Sequence, residues 1–148
     1  MRWLALLLLS TCSSGAEEPA NRSAGPPATP PTPARPVSPE DAEASREAGA
    51  TVAEYYEAIA RRDYPAAWRL REPGPGDTLE RFAAGFEAYA DYRATVGMPT
   101  LPARQDGHVW VAVPVQLYGR RRDGAPFGSV GRVTLKRAAG QDRWKIVS

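Results

Sequence analysis

The region that follows residue 38 begins with a helical pattern of apolar and polar positions. Ser38 is a favourable capping residue, and the proline and acids after it suit the first turn of a helix. One face of this helix is apolar at i, i+3 and i+4 spacing: Ala48, Val52, Tyr55, Tyr56 and Ile59. Glu54 and Glu57 lie off that face. The pattern therefore predicts an amphipathic helix with one buried side.

Two shorter helices are predicted next, each introduced by a capping residue. Asp63 suits the cap of a helix over 64–71, which the Pro-Gly-Pro-Gly run at 73–76 ends. Asp77 or Thr78 suits the cap of a third helix. The apolar positions that keep helical spacing in this third segment are Leu79, Phe82, Ala83, Phe86 and Tyr89. Most of these aromatic side chains are expected in the core.

After Tyr89 the apolar period changes to two, which indicates strands. Strands are predicted over 92–97, 108–118, 127–137 and 143–148, with a polar hairpin turn at 120–124. Odd-numbered positions from Val109 to Leu117 share one face, and Pro114 argues for an edge position or a bulge. Helices followed by meandering strands predict an α+β domain with helices on one face of an antiparallel sheet.

The first residues have the layout of a secretory signal peptide: one arginine, a short leucine run, then small residues. The leucine run is too short to span a bilayer. Leu9-Ser10-Thr11-Cys12 resembles a bacterial lipobox, although Thr11 stands where Gly, Ala or Ser is usual. This predicts a signal peptide over 1–11 and lipidation of Cys12. Cleavage by an ordinary signal peptidase after Ala16 is the alternative.

The single cysteine favours the lipoprotein interpretation. A lone free thiol is unusual in an oxidising compartment, whereas lipidation explains both its solitude and its place directly after the leucine run. We therefore expect an exported protein of the bacterial cell envelope or periplasm, anchored at Cys12. The choice between inner and outer membrane stays open.

Proline is concentrated between the predicted signal peptide and the predicted domain. The chain has 148 residues and 15 prolines, and eight of these prolines fall between Thr11 and Glu40. The segment 12–38 has no aromatic residue, so it cannot bury enough apolar area to offset its conformational entropy. It is predicted to be a disordered tether. The globular domain is predicted over 39–148.

The composition narrows the chemistry that the domain can perform. One cysteine excludes an intramolecular disulfide, a cysteine-based zinc cluster and an iron–sulfur site, and one histidine excludes most histidine metal sites. No metal or cofactor is predicted. The acids at 63, 77, 106, 123 and 142 are explained as caps or turn residues. His108 is left as the catalytic candidate, without an acid at a recognisable spacing.

The stretch YYEAIARRDYPAAWRL at 55–70 resembles the opening of nuclear-transport-factor-two-like domains, also described as SnoaL-like or cystatin-like cones. FAAGF at 82–86 and RWKI at 143–146 are similar to the same pattern, notably in exported bacterial lipoproteins. The resemblance covers roughly residues 42–148. It implies three N-terminal helices on a curved antiparallel sheet of about four strands, which together form a cone that encloses a pocket. No catalytic position of the family's enzymes can be carried over to this chain.

Six aromatic residues are candidates for lining that pocket, although core packing explains them at least as well: Tyr55, Tyr56, Trp68, Phe86, Trp110 and Trp144. Charge is divided along the chain, with seven basic and twelve acidic residues over 40–102 and nine basic and three acidic residues over 103–148. Arg120, Arg121 and Arg122 are candidates for contact with anionic lipid or an acidic partner. Nucleic acid is not an expected partner, because the domain is nearly neutral and the protein is expected to be exported.

These features favour a non-catalytic, envelope-anchored domain that binds a small apolar ligand or another protein. A small cone-fold enzyme, such as an isomerase, dehydratase or hydrolase, is the alternative, with His108 or a pocket tyrosine as its acid or base. A third hypothesis is a subunit that pairs through its sheet, since domains of the kind that the chain resembles often form homodimers.

Overall fold

Three capped helices precede the sheet in the computed structural model, which describes residues 36–147. They are α1 (Pro39–Ala60), α2 (Tyr64–Arg69) and α3 (Leu79–Ala84). Ser38, Asp63 and Thr78 each accept a backbone N–H from three residues further on, at 3.1, 3.1 and 3.2 Å. The predicted caps are therefore confirmed, and Thr78 rather than Asp77 caps α3.

The second and third helices end earlier than predicted. Helix α2 stops at Arg69 because the next residues pair with the C-terminal strand: Ile146 N–H donates to the Leu70 carbonyl and Glu72 N–H to the Ile146 carbonyl. Helix α3 stops at Ala84, where Gly85 is the C-cap, and Tyr89 already belongs to the first strand. Apolar residues keep a helical spacing as far as Tyr89 in the sequence, so the end of α3 predicted from that spacing was wrong.

Five antiparallel strands follow: β1 (Tyr89–Val96), β2 (Ala103–Gln105), β3 (His108–Arg121), β4 (Pro126–Ala138) and β5 (Lys145–Ile146). Their order is β1-β3-β4-β5, and β2 pairs with the start of β3. The helices pack on one face of this curved sheet, so the predicted α+β architecture is confirmed. The short strand β2 was not predicted, and β5 is shorter than its predicted range.

Pro114 occupies neither of the two positions expected from the sequence, an edge strand or a bulge. It lies in β3, which is a central strand with β1 and β2 on one side and β4 on the other. The missing N–H faces the gap between β1 and β2, where the Pro114 carbonyl accepts the Gly97 N–H at 2.8 Å. Since that neighbouring strand is interrupted at this point, no ladder hydrogen bond is lost.

The core lies between α1 and the inner face of the sheet. Helix α1 contributes the apolar face predicted from its spacing, and β3 contributes the alternate valines from Val109 to Val115. Every buried residue of the described range is apolar. The outer face carries the other parity of β3, including Trp110, Gln116 and Tyr118, with Val130 of β4 beside Gln116.

The predicted signal peptide over 1–11, the lipobox Cys12 and the predicted tether up to residue 35 lie outside the described residues. Within residues 36–147, none of the helices combines the length and apolar character needed to cross a membrane.

Candidate functional site

Aromatic rings fill the inner face of the sheet at the end where β3 turns into β4. They form one connected network through ring contacts of 4.6 to 6.5 Å between centroids. The rings belong to Tyr55, Tyr56, Tyr64, Trp68, Phe82, Phe86, Tyr89, Tyr92 and Phe127. Helix and sheet side chains thus occupy the space in which the resemblance implied a pocket. The open volume lies at the rim of the fold instead.

One such opening lies between α2 and α3 and is called here the α2–α3 cleft. It has a volume of about 320 Å³, and its walls include Trp68, Arg71, Asp77, Arg81, Phe82 and Phe86. The three aromatic side chains are half-buried, so part of each ring packs against the core and part faces the cleft. A volume of this size is at the lower end for small-molecule sites, and apolar walls with a few charges are typical of them.

Arg71 supplies a sheltered positive charge to this cleft. Its guanidinium carbon lies 5.4 Å from the ring centroid of Trp68 and 5.1 Å from that of Phe82. Its side chain is only 24% exposed, and the carboxylate of Asp77 lies 3.7 Å away, beyond hydrogen-bonding distance. Within residues 36–147 no hydrogen bond reaches the guanidinium. Its N–H donors are therefore open toward the cleft.

The backbone at Arg71 is fixed by the sheet. Arg71 forms a parallel bridge with Ile146, and the hydrogen bonds of Leu70 and Glu72 to Ile146 flank it at 2.9 and 2.8 Å. The same pairing that ends α2 thus positions this arginine beside the aromatic rings of α2 and α3.

Three tyrosines of the aromatic network hold their hydroxyl protons at neutral pH. Burial raises the pKa of Tyr55 to about 12, and the positive charge of Arg71 offsets part of that rise. Burial also raises the pKa values of Tyr56 and Tyr92, and neighbouring tyrosines add to the effect. These hydroxyls can donate hydrogen bonds, but they are poor bases near neutral pH.

The six aromatic residues predicted for a pocket do not line one cavity. Trp68 and Phe86 meet at the α2–α3 cleft, and Tyr55 is buried behind it against Phe82. Tyr56 stacks on Tyr92 and lines a separate opening of about 210 Å³ between α1 and β1.

The two remaining tryptophans lie away from the cleft. Trp110 is on the outer face of the sheet, and the ammonium nitrogen of Lys136 lies 5.7 Å from its ring centroid. Trp144 is buried, and its indole N–H donates to Glu47 at 3.3 Å.

His108 lies at the opposite end of β3, on the rim of an opening of about 500 Å³. Its Nδ1 is 2.9 Å from the carbonyl oxygen of Asp106, which favours Nδ1 as the donor and leaves Nε2 as an acceptor. Two arginines of this opening are already paired, Arg104 with Glu40 and Asp41, and Arg137 with Glu47. In the part of the chain that the structure describes, no carboxylate forms an ion pair with His108.

The three consecutive arginines are exposed, but Arg120 and Arg121 are the last residues of β3 and only Arg122 follows it, so the hairpin turn begins two residues later than predicted. Arg120 donates to the Gly124 carbonyl at 3.2 Å, and Arg122 donates to the Glu87 carbonyl. Two of the three guanidinium groups therefore help to hold the hairpin, and contact with an anionic partner stays a prediction. No group of three or more metal-ligating side chains occurs within residues 36–147.

Sequence reasoning missed Arg71 as a site residue and treated Phe82 only as a core position. Their closeness depends on the return of the C-terminal strand to residue 71. The one available signal was an arginine two residues before the Pro-Gly-Pro-Gly loop, at the end of the predicted helix that also carries Trp68.

No protein-family model matches the sequence, and none of the curated proteins matches it. Solved structures do match. A Nuclear transport factor 2 (NTF2-like) superfamily protein from Salmonella enterica serovar Typhimurium is 14% identical with a TM-score of 0.55, over 71% of this chain and 87% of that one. An NTF2-like family protein from Streptomyces avermitilis is 14% identical with a TM-score of 0.52, over 71% and 91%. The association domain of CaMKII from C. elegans is 14% identical with a TM-score of 0.51, over 72% and 93%.

These similarities establish the fold. The described residues have an NTF2-like fold, an α+β cone in which three helices cover a curved antiparallel sheet. The expectation drawn from the sequence motifs at 55–70, 82–86 and 143–146 is thus confirmed for the fold.

Proposed function

We propose that this protein is an envelope-anchored, non-catalytic binding domain that holds a small apolar ligand in the α2–α3 cleft. The observation that carries the proposal is the half-buried aromatic wall formed by Trp68, Phe82 and Phe86 around a volume of about 320 Å³. Large aromatic surfaces that stay partly open to solvent are typical of binding sites. The lipobox at Cys12 supports the anchor, and the proline-rich segment after it supports a tether.

The interior supports binding over catalysis. Every buried residue of the described range is apolar, so no carboxylate lies in the core with a pKa shifted toward neutral pH. Burial raises the pKa values of Tyr55 and Tyr56, which keeps those hydroxyls protonated. The enzyme hypothesis rests on His108, which lies at the opposite end of β3 from the aromatic wall.

The neutral fluorescent probe N-phenyl-1-naphthylamine tests the proposal on the full mature chain. We expect its emission to rise on binding, and we expect Trp68→Ala and Phe86→Ala each to weaken its affinity about tenfold, the effect of removing a large apolar contact. Trp110→Ala is the matched control, because this aromatic ring lies on the outer sheet face, away from the cleft. Equal weakening by Trp110→Ala, or none by the two cleft variants, would contradict the proposal.

We also propose that two copies pair through the outer sheet face. Val130 is 81% exposed and Tyr118 is 42% exposed on adjacent strands of that face. Exposed apolar side chains grouped in this way are typical of an interaction surface. An association domain among the structural neighbours is consistent with assembly through this fold.

Cysteine trapping tests the paired arrangement. In the full mature chain carrying Cys12→Ser, we expect Val130→Cys to give a disulfide-linked dimer under mild oxidation, because a two-fold axis brings identical positions together. Glu54→Cys is the control, since this exposed residue lies on α1. The proposal fails if Glu54→Cys forms dimers as readily, or if Val130→Cys stays monomeric.

A further inference from the structure

Arg71 has more hydrogen-bonding capacity than the described residues use. A guanidinium has five N–H donors in a planar fork, and none of them makes a hydrogen bond within residues 36–147. Two aromatic faces shelter the group, and its side chain is only 24% exposed. A sheltered cation with open donors is suited to a carboxylate, which can accept two parallel hydrogen bonds from the fork.

We propose that the ligand of the α2–α3 cleft is an apolar carboxylic acid whose carboxylate pairs with Arg71. The apolar body lies against Trp68, Phe82 and Phe86. This inference rests on the proposed function, because it names the chemical class of the ligand that the cleft holds.

The charge of the cleft selects a monoanion. Arg71 and Arg81 contribute two positive charges, and Asp77 contributes one negative charge. Arg81 is exposed and donates to the Gly76 carbonyl at 3.0 Å, so Arg71 is the sheltered partner. A single carboxylate neutralises the net charge of one, whereas a dianion leaves a negative charge beside the aromatic rings.

Asp77 is the acidic side chain that competes with a ligand carboxylate for Arg71. Its Oδ2 accepts the Gly74 N–H at 3.1 Å and stays 3.7 Å from the guanidinium. The loop thus holds this acid near Arg71 without a hydrogen bond between them. A ligand carboxylate gains that hydrogen bond, and the charge of Asp77 opposes its entry.

A matched pair of probes tests the inference on the full mature chain: 2-naphthoate and its neutral analogue 2-naphthamide, each measured by displacement of N-phenyl-1-naphthylamine. We expect 2-naphthoate to bind about tenfold more tightly, as a charge-assisted hydrogen bond in a sheltered site allows. Arg71→Gln should remove this preference by weakening the binding of 2-naphthoate about tenfold more than that of 2-naphthamide. Arg81→Gln should reduce the preference much less, and Asp77→Asn should increase it.

The outcomes separate the two proposals. Binding of the neutral probes without a preference for 2-naphthoate overturns the carboxylate inference and leaves the apolar cleft intact. Failure of every probe to bind overturns both. If Arg71→Gln weakens 2-naphthoate and 2-naphthamide equally, with a normal thermal unfolding transition, then Arg71 supports the aromatic wall and does not recognise an anion.

Discussion

At Arg71 two helices, the loop between them and the C-terminal strand together determine the chemistry of one side chain. The aromatic faces come from Trp68 and Phe82 in two helices, the backbone position comes from Ile146, and Asp77 comes from the intervening loop. Arginine is common on protein surfaces and carries no functional signal by itself. Its shelter and its open donors are what single it out here. Neither property can be recognised from the neighbouring sequence.

The tyrosines provide a prediction about pH. Burial raises the pKa of Tyr55 to about 12, while the same group in the unfolded chain titrates near 10.0. Below pH 10 the hydroxyl is protonated in both the folded and the unfolded state, so its ionisation does not change the free energy of unfolding. Between pH 10 and about 12 the unfolded chain loses the proton first, so the free energy of unfolding falls as pH rises. Urea unfolding at a series of alkaline pH values measures this fall.

Tyr55→Phe is the informative variant, because it removes the titrating hydroxyl and keeps the ring. We expect a smaller loss of stability above pH 10 and one fewer late-titrating group in the near-ultraviolet absorbance. Tyr118→Phe, on the outer face, serves as the control. A folded protein in which every tyrosine titrates together near pH 10 would show that the burial effect is absent.

At the scale of elements, the starts of helices were predictable and their ends were not. The three caps act through local hydrogen bonds spanning three residues, so the sequence contains all the information that they need. The ends of α2 and α3 depend on pairing with β5 and on the beginning of β1, which are contacts distant in sequence.

The strands show the same division. The alternation of apolar and polar residues in β3 predicted its buried face, because successive side chains of a strand point to opposite faces of the sheet. Its central position in the sheet was not predictable from Pro114, since the gap between β1 and β2 removes the usual cost of proline in a central strand. Strand β2 has three residues, all exposed, so no apolar alternation marks it.

At the scale of the whole molecule, ion pairs between the acidic helical half and the basic sheet half partly neutralise the charges that are separated along the sequence. Basic residues of the sheet half pair with acids of the helical half: Arg104 with Glu40 and Asp41, Lys136 with Glu72, and Arg137 with Glu47. Ion pairs at or near the surface each contribute little to stability. Together they leave less uncompensated charge for a partner than the sequence indicated.

The anchor also belongs to the scale of the whole molecule. We expect mass spectrometry of the mature protein, expressed in a bacterium, to give an N-terminus at Cys12 with added lipid mass, and detergent partitioning to place it with the membrane fraction. Cys12→Ala should abolish both signals. A mature, unmodified N-terminus at Glu17 would instead identify ordinary signal peptidase cleavage and remove the tether from the proposed function.

By itself the sequence determined the α+β class, the helix caps, the apolar face of α1 and the buried parity of β3. Each of these follows from residues a few positions apart, so the local pattern contains the physical cause. The tertiary structure decided which aromatic residues share a cavity, where Trp110 and Trp144 lie, and that Arg71 faces the aromatic cleft. The position of Arg71 depends on the pairing of the residues after α2 with a strand that begins some seventy residues later, and no local pattern records such a contact.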